Sequence, residues 1–323
     1  MRKGQNPAKF IGQVARPERI TAAVLSYVPS LHGYHAESLQ VLRACLASLR
    51  ATADLPFDLM VFDNGSCEKV QDFLLGSHRQ GEIQFLLLSE QNLGKGGAWN
   101  VIFQAAPGEV LAYTDSDALF SAGWLSDSLR ILETYPKVGM VTSRPFRTPP
   151  EFYSRTLAWA DSDREVQVER GSFIAWEAFR EFDMSLGQEE EQVRQRYTST
   201  EDIRLTYRGV PAMVGASHWQ FLGWTSVLRQ FVPFQMDRPM GQVRQLDQRV
   251  NAAGLLRLMT SEPRAMNMSN SLAPVPVAGA GSGQRVAGRP ARRLLNLPLV
   301  RRVLLGLYDR IFRWYYTEGK GRR

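Results

Sequence analysis

Cysteine is scarce in this chain: Cys45 and Cys67 are the two present among 323 residues. So few, so placed, give no disulfide framework and no metal-ligand spacing, which fits a reducing compartment and excludes a small disulfide-stapled scaffold. Long apolar runs are missing too. No segment approaches the ~20 consecutive apolar residues a spanning helix needs. Arg2, Lys3 and Lys9 lead into no apolar stretch of the kind a secretory signal carries. The expectation is a cytosolic protein, or one attached to the inner face of a membrane. Surplus charge is absent from most of the chain as well. The net +7 resides in residues 291–323, where nine Lys and Arg stand against Asp309 and Glu318. The remainder is formally neutral, so a nucleic-acid partner is not expected. No internal repeat is visible. What the chain does have is 44% hydrophobic and 22% charged residues, enough to bury a full globular core.

That apolar content arrives in short runs. Ile20 to Val28 (ITAAVLSYV), Asp58 to Phe62 (DLMVF), Ile83 to Leu88 (IQFLLL), Glu109 to Thr114 and Lys137 to Ser143 (KVGMVTS) read as five strands. Between the first two, Glu37 to Leu49 repeats Leu39, Leu42, Leu46 and Leu49 at helical spacing. Strands apolar on both faces and alternating with helices predict an α/β fold, with a Rossmann-like, mostly parallel sheet flanked by helices. In such sheets ligands bind beyond the carboxyl ends of the strands. The polar clusters Asp63-Asn-Gly-Ser66, Asn92 to Asn100 and Asp115-Ser-Asp117 all fall there. The organisation expected is an N-terminal extension (1–19), a ligand-binding half (20–150), a second half of the same domain (151–270), a Pro/Gly/Ala-rich linker (271–290) and a basic tail (291–323).

Asp115 and Asp117 follow the fourth strand directly. By themselves they read equally as a helix cap and as a metal site. Their position at a strand end adds an electrostatic argument. A diphosphate brought against two carboxylates meets roughly 4 kcal/mol of repulsion per charge pair near 4 Å at an effective dielectric of ~20. A divalent ion of the Mg²⁺ or Mn²⁺ type removes that conflict by sharing oxygen ligands between carboxylate and phosphate.

The ordered set of Asp63-Asn-Gly-Ser66, Asn92-x-Gly94 with Ala98 and Asn100, Asp115-Ser-Asp117, Gly171-Ser-Phe-Ile-Ala-Trp-Glu-Ala-Phe179 and Thr200-Glu-Asp-Ile-Arg-Leu-Thr-Tyr-Arg208 resembles family-2 glycosyltransferases with the A-type fold. It covers roughly residues 20 to 219. The resemblance implies a nucleotide-diphospho-sugar donor, a divalent metal (Mn²⁺ or Mg²⁺) and a glycan or lipid-linked acceptor. Asp63 would bond the base, Asn92, Gly94 and Lys95 would approach the phosphates, Asp115 would touch ribose or metal, and Asp117 and His218 would complete the metal site. Asp202 would be the base that takes the acceptor proton in an inverting transfer, with Glu201 as the alternative. Blander readings stand beside these: an Asx turn at Asp63, a helix-start loop at Asn92 to Asn100, N-terminal helix charges at Glu201 and Asp202, and a packed or surface histidine at His218. Trp159, Trp176, Trp219 and Trp224 are candidates for a sugar-stacking platform, most of them expected in the core.

The chain also departs from the family. Its first strand ends Ser26-Tyr-Val-Pro29, and a charged run, Gln188 to Arg196, replaces the usual Gly-rich turn. Gln245-Leu-Asp-Gln-Arg249 lacks the tryptophan of processive synthases, which favours transfer of a single sugar. In the tail, Leu299 to Thr317 reads as a basic amphipathic helix suited either to an anionic membrane surface or to docking on protein. The competing classes are a nucleotidyltransferase and a catalytically silent glycan- or membrane-binding protein.

Overall fold

The computed structural model describes residues 4–236 and 242–272. These belong to the first of two units, Met1–Val275, and the second is Pro276–Arg323. The tail helix, its membrane role and all but the first two residues of the linker therefore lie outside the described residues.

The chain opens with Ile20–Ser26 (β1), Ser38–Ala51 (α1), Asp58–Asp63 (β2), Glu68–Arg79 (α2), Phe85–Leu88 (β3), Gly94–Ala105 (α3) and Val110–Asp115 (β4). Three of the four strands are buried along almost their whole length, as expected for a sheet covered on both faces. Alternate residues supply the two faces. Val24, Val61 and Val110 pack with Leu42, Leu46 and Leu49 of α1, whereas Ala23, Leu25, Met60 and Tyr113 pack with Trp99 and Phe103 of α3. Within this half β1 lies between β2 and β4, all parallel, with Ser26 beside Asp63 and Leu25 beside Asp115. The carboxyl ends of β2 and β4 are thus brought level on either side of β1.

The second half continues with Ala118–Phe120 (β5), Trp124–Thr134 (α4), Val138–Thr142 (β6), Ser154–Ser162 (α5), Val166–Gly171 (β7), Trp176–Ser185 (α6), Glu190–Ser199 (α7), Asp202–Tyr207 (β8), Val210–Val214 (β9), Gln220–Trp224 (β10), Thr225–Leu228 (α8), Gln242–Ala252 (α9), Leu256–Met259 (β11) and Ala265–Asn267 (β12). Ten strands form one sheet in the order β3-β2-β1-β4-β10-β6-β11-β9-β8-β7. The order is that of a doubly wound sheet through β4. β10 then enters antiparallel between β4 and β6, and β9, β8 and β7 extend the far side as an antiparallel meander. β5 and β12 make a separate pair that carries the turn after β4. No described helix is long and apolar enough to cross a membrane.

One alternative reading is set aside here, and one run takes definite shape. Glu201 and Asp202 carry no helix, because Asp202 opens the strand β8. The charged run from Gln188 is mostly helix α7, with Arg196 paired to Asp183 at 3.1 Å and Glu190 to Arg180 at 3.1 Å.

Candidate active site

β4 delivers Asp115 to the sheet's carboxyl edge, and both of its carboxylate oxygens are engaged. Lys95 Nζ lies 2.5 Å from Oδ2, and the Tyr113 hydroxyl donates to Oδ1 at 2.6 Å. Lys95 comes from the first turn of α3, its side chain 9% exposed, with the ammonium over the rings of Trp99 and Tyr113 at 5.5 and 5.7 Å. Burial, then the Asp115 charge, holds the Tyr113 phenol well above its ordinary range, so it stays a donor. Lys95→Met is expected to lower stability by about 1–3 kcal/mol, because it strips a mostly buried carboxylate of its ammonium. Thermal denaturation of the donor-free protein reads that loss.

Asp117 stands in the turn between β4 and β5, fixed through its carbonyl, which accepts from Met268 N at 2.7 Å. Burial and the Asp115 charge push its carboxyl up to about 7, with Lys95 pulling in the other direction. It caps no helix: α4 starts at Trp124 behind Gly123, which takes φ of +86°. That removes the capping alternative for the pair.

Across β1, Asp63 is fully buried at the end of β2. Its Oδ2 accepts from Ser66 N at 3.0 Å and Gln71 Nε2 at 3.3 Å, an Asx turn, while Oδ1 has no partner. Ser26, its register partner on β1, also holds a buried Oγ with no partner. Two unsatisfied polar atoms side by side at a strand end are costly unless something else bonds them. The Asn92 side chain accepts from Gly94 N at 2.7 Å and from Asn64 Nδ2 at 2.9 Å, and Asn64 Oδ1 accepts from Leu93 N at 2.9 Å. These bonds tie the start of α3 to the end of β2. Gly94 takes φ of +69°, and a Cβ at Gly97 would meet Leu93 Cβ at 2.7 Å. The glycines are therefore needed for the turn and for close packing. Asn100 clamps the backbone of Phe234 through both its oxygen and its amide, at 2.6 and 2.9 Å, a structural task.

His218 precedes β10. Gln220 pairs with Thr114, and the Asp115 amide donates to the Trp219 carbonyl at 2.8 Å, so the start of β10 runs beside the end of β4. Its Nδ1 lies 2.9 Å from Asp247 Oδ2. Among the described residues no group of three His, Cys, Asp or Glu is gathered tightly enough to hold an ion.

Glu201 and Asp202 lie elsewhere on the sheet, with β10, β6, β11 and β9 intervening between β4 and β8. The Asp202 side chain is 0% exposed. Oδ1 meets Arg147 Nε at 2.6 Å, and Oδ2 accepts from Phe173 N and Ile174 N at 2.8 and 2.9 Å. Both oxygens are thus committed, whereas Glu201 is exposed. Of the tryptophans, Trp219 packs on Phe182, Trp159 on Tyr135 and Tyr207, and Trp176 on Tyr197.

Sequence reasoning passed over Ser26, Arg147, Asp247 and Arg257. Asp247 left a trace: an acid beside Leu246 and three residues from Val250, on the buried face of a helix. Arg147 left none, since its partner is 55 residues away.

Residues 34–184 match the model of glycosyl transferase family 2. An uncharacterized glycosyltransferase of Nostoc sp. is 27% identical over 100 residues, 31% of each chain. Among solved structures, S. aureus TarS 1–349 is similar at 15% identity and a TM-score of 0.44, covering 76% of this chain and 58% of that one. The mannosyltransferase PcManGT of Pyrobaculum calidifontis, solved with GDP-Man and Mn²⁺, is similar at 25% identity and a TM-score of 0.33, covering 41% and 36%. The chain thus spans about a third of the curated relative's length and about a third to three-fifths of these structures. The matched residues contain β2, α3, β4 and the Asp115–Asp117 pair, so it is this stretch of the chain, with the parallel strands and the candidate site, that is similar to glycosyl transferase family 2.

Proposed function

We propose that this protein transfers a single sugar, with inversion, from a nucleotide diphosphate to a glycan or lipid-linked acceptor, and that the donor is seated with a divalent cation at the end of β4. The observation that carries this reading is a charge imbalance: two carboxylates, Asp115 and Asp117, share one ammonium, that of Lys95. An ion would add the charge the pair lacks and leave a surplus for a diphosphate. The donor set suits Mn²⁺ or Mg²⁺. Asp117 offers a carboxylate whose ionisation burial and the Asp115 charge disfavour, Asp115 is shared with Lys95, and His218 leads into β10, the strand beside β4. Bound there, the ion would supply positive charge to the departing diphosphate.

The chain's own residues account for the rest of donor binding. Ser26 Oγ and Asp63 Oδ1, buried and partnerless, suit the donors of a nucleobase or ribose. Gly94 and Lys95, held by the Asn64–Asn92 bonds, bring backbone and ammonium to where phosphates would lie. Inversion needs a base within reach of the acceptor hydroxyl. The Glu201–Asp202 pair is proposed for it from the sequence alone, since four strands stand between that pair and the end of β4. Asp202 would have to release Arg147 to act, and Glu201 is the member already open to solvent.

A thermal-shift panel of UDP-, GDP- and dTDP-sugars, each with and without Mn²⁺, tests the proposal. One donor at about 100 times its Kd is expected to stabilise the protein by about 2.7 kcal/mol, and to do so only with the ion present. A panel with no response, or with equal responses in the presence of EDTA, would reject it.

A further inference from the structure

Two periodicities bring four side chains together at the end of β4. Lys95 and Trp99 are four residues apart on α3 and share a face, while Tyr113 and Asp115 are two apart on β4 and project to one side of the sheet. The Tyr113 side chain is fully buried, its ring centroid 5.7 Å from that of Trp99 and 5.1 Å from that of Phe221. From that fixed position its hydroxyl donates to Asp115 Oδ1 at 2.6 Å, and Lys95 Nζ takes Oδ2 at 2.5 Å. The carboxylate is therefore held at both oxygens, by a rigid neighbour and by a charged one.

The ammonium is the unfinished part of this arrangement. It carries three N–H groups, and Asp115 accepts from it. Among the described residues no second oxygen accepts from it, although the side chain is more than nine-tenths buried. The rings of Trp99 and Tyr113 flank it and offer attraction but no lone pair. Unused N–H groups on a buried cation point to an oxygen-bearing anion from outside the chain. Were Asp115 a counter-ion for the fold alone, Lys95 would suffice to neutralise it. The Tyr113 bond adds no charge; it adds direction. A lysine head on a flexible four-carbon stem is thereby ordered before a ligand arrives, so less entropy is lost on binding.

We propose that Tyr113 is a positioning residue: by fixing Asp115 it makes that carboxylate the seat of the Lys95 ammonium, whose remaining N–H groups bind the diphosphate of the sugar donor. Asp117 is then the carboxylate of the pair left for the cation. Ions of the Mg²⁺ type suit that division, since they bind through one or two carboxylates and complete their shell with phosphate and water. The proposal rests on reading the end of β4 as the donor site.

A double-mutant cycle on the full chain tests it. Calorimetric titration of UDP, GDP and dTDP in Mn²⁺ is expected to find a nucleotide that binds the wild type, and Tyr113→Phe is expected to weaken it about 10-fold. In a Lys95→Met background the same substitution is expected to change affinity by less than about 2-fold, because the group it acts through is gone. A purely structural role would lower the melting temperature of Tyr113→Phe and leave the affinity alone. Unchanged affinity in Tyr113→Phe, or an equal loss in both backgrounds, would overturn this proposal and leave the donor site standing. Should a variant fail to fold or bind too weakly to titrate, the wild type decides. In ¹⁵N spectra of its six lysine ammonium groups, the Lys95 signal, assigned through its own backbone, is expected to shift most when the nucleotide is added. A Lys95 signal unmoved by bound nucleotide would overturn the proposal, and no nucleotide binding by the wild type would overturn the donor site with it.

Discussion

Replacing Asp117 with asparagine is expected to abolish cation-dependent donor binding and to cut transfer at least 100-fold, with the fold intact. The amide is nearly the same size, and the fixed part of residue 117 is its backbone, held by Met268, so little else is disturbed. What disappears is the one carboxylate at the end of β4 that is not already paired with Lys95 and Tyr113. A loss of that size corresponds to about 2.7 kcal/mol of transition-state stabilisation, within the range for removing a charged ligand. Steady-state rates and donor affinities with and without Mn²⁺ read it. The same variant carries a stability signature of opposite sign. Burial and Asp115 raise the folded carboxyl to about 7 from its ordinary 3.8, so its ionisation costs stability. That cost is absent below about pH 4, grows as the pH rises toward 7, and is complete above it. Without metal, Asp117→Asn is therefore expected to match the wild type at pH 4 and exceed it at pH 8. The difference should be on the order of 1–2 kcal/mol, allowing for the side chain's partial exposure. Denaturant titrations at the two pH values check the prediction; a variant less stable than wild type at pH 8 would contradict the electrostatic account.

Asp202→Asn is expected to act on the fold first. Asp202 receives the Arg147 guanidinium and two backbone amides in a site with no exposed side-chain surface, and Arg147 itself packs against Phe179 and Tyr197. An asparagine oxygen can still accept from Phe173 and Ile174, but a buried guanidinium loses its counter-charge. Breaking such a pair from one side costs about 3–5 kcal/mol. The expected result is a large fall in the chemical-denaturation midpoint together with loss of transfer. Glu201→Gln, whose side chain is exposed, is expected to leave stability within about 0.5 kcal/mol. Its transfer rate then reports on chemistry alone: a large loss supports Glu201 as the accessible base, and full activity removes it from the site.

The parallel half of the sheet was legible because it obeys a simple physical rule. β1, β2, β4 and β6 are buried on both faces, so they appear in the chain as unbroken apolar runs closed by polar turns, and the ends of β1, β2 and β4 are where the candidate ligands converge. The meander was harder. β7 is an edge strand, mostly exposed, and its Val-Gln-Val-Glu-Arg-Gly has little to distinguish it from a loop. β8 did announce itself: Ile203, Leu205 and Tyr207 alternate with Arg204 and Thr206, the period of a half-buried strand. A reading of Glu201 and Asp202 as helix charges set that period aside. Lys95 shows a different limit. Its place in the first turn of α3 was readable, but its contact with Asp115 depends on β4 arriving beside that turn, a fact of topology. The contacts among His218, Asp247 and Arg257 span 29 and 10 residues and depend on how α9 packs beside β11, so only a piece of them, one acid on a buried helical face, could be seen beforehand.

The most direct measurement is diffraction at the manganese absorption edge from crystals grown with Mn²⁺ and the donor that stabilises the protein. The account predicts an anomalous peak bounded by the Asp117 carboxylate, the end of β4 and the donor's diphosphate. A donor bound with no such peak, and with Lys95 still closed on Asp115 as the only cation at that strand end, would contradict it.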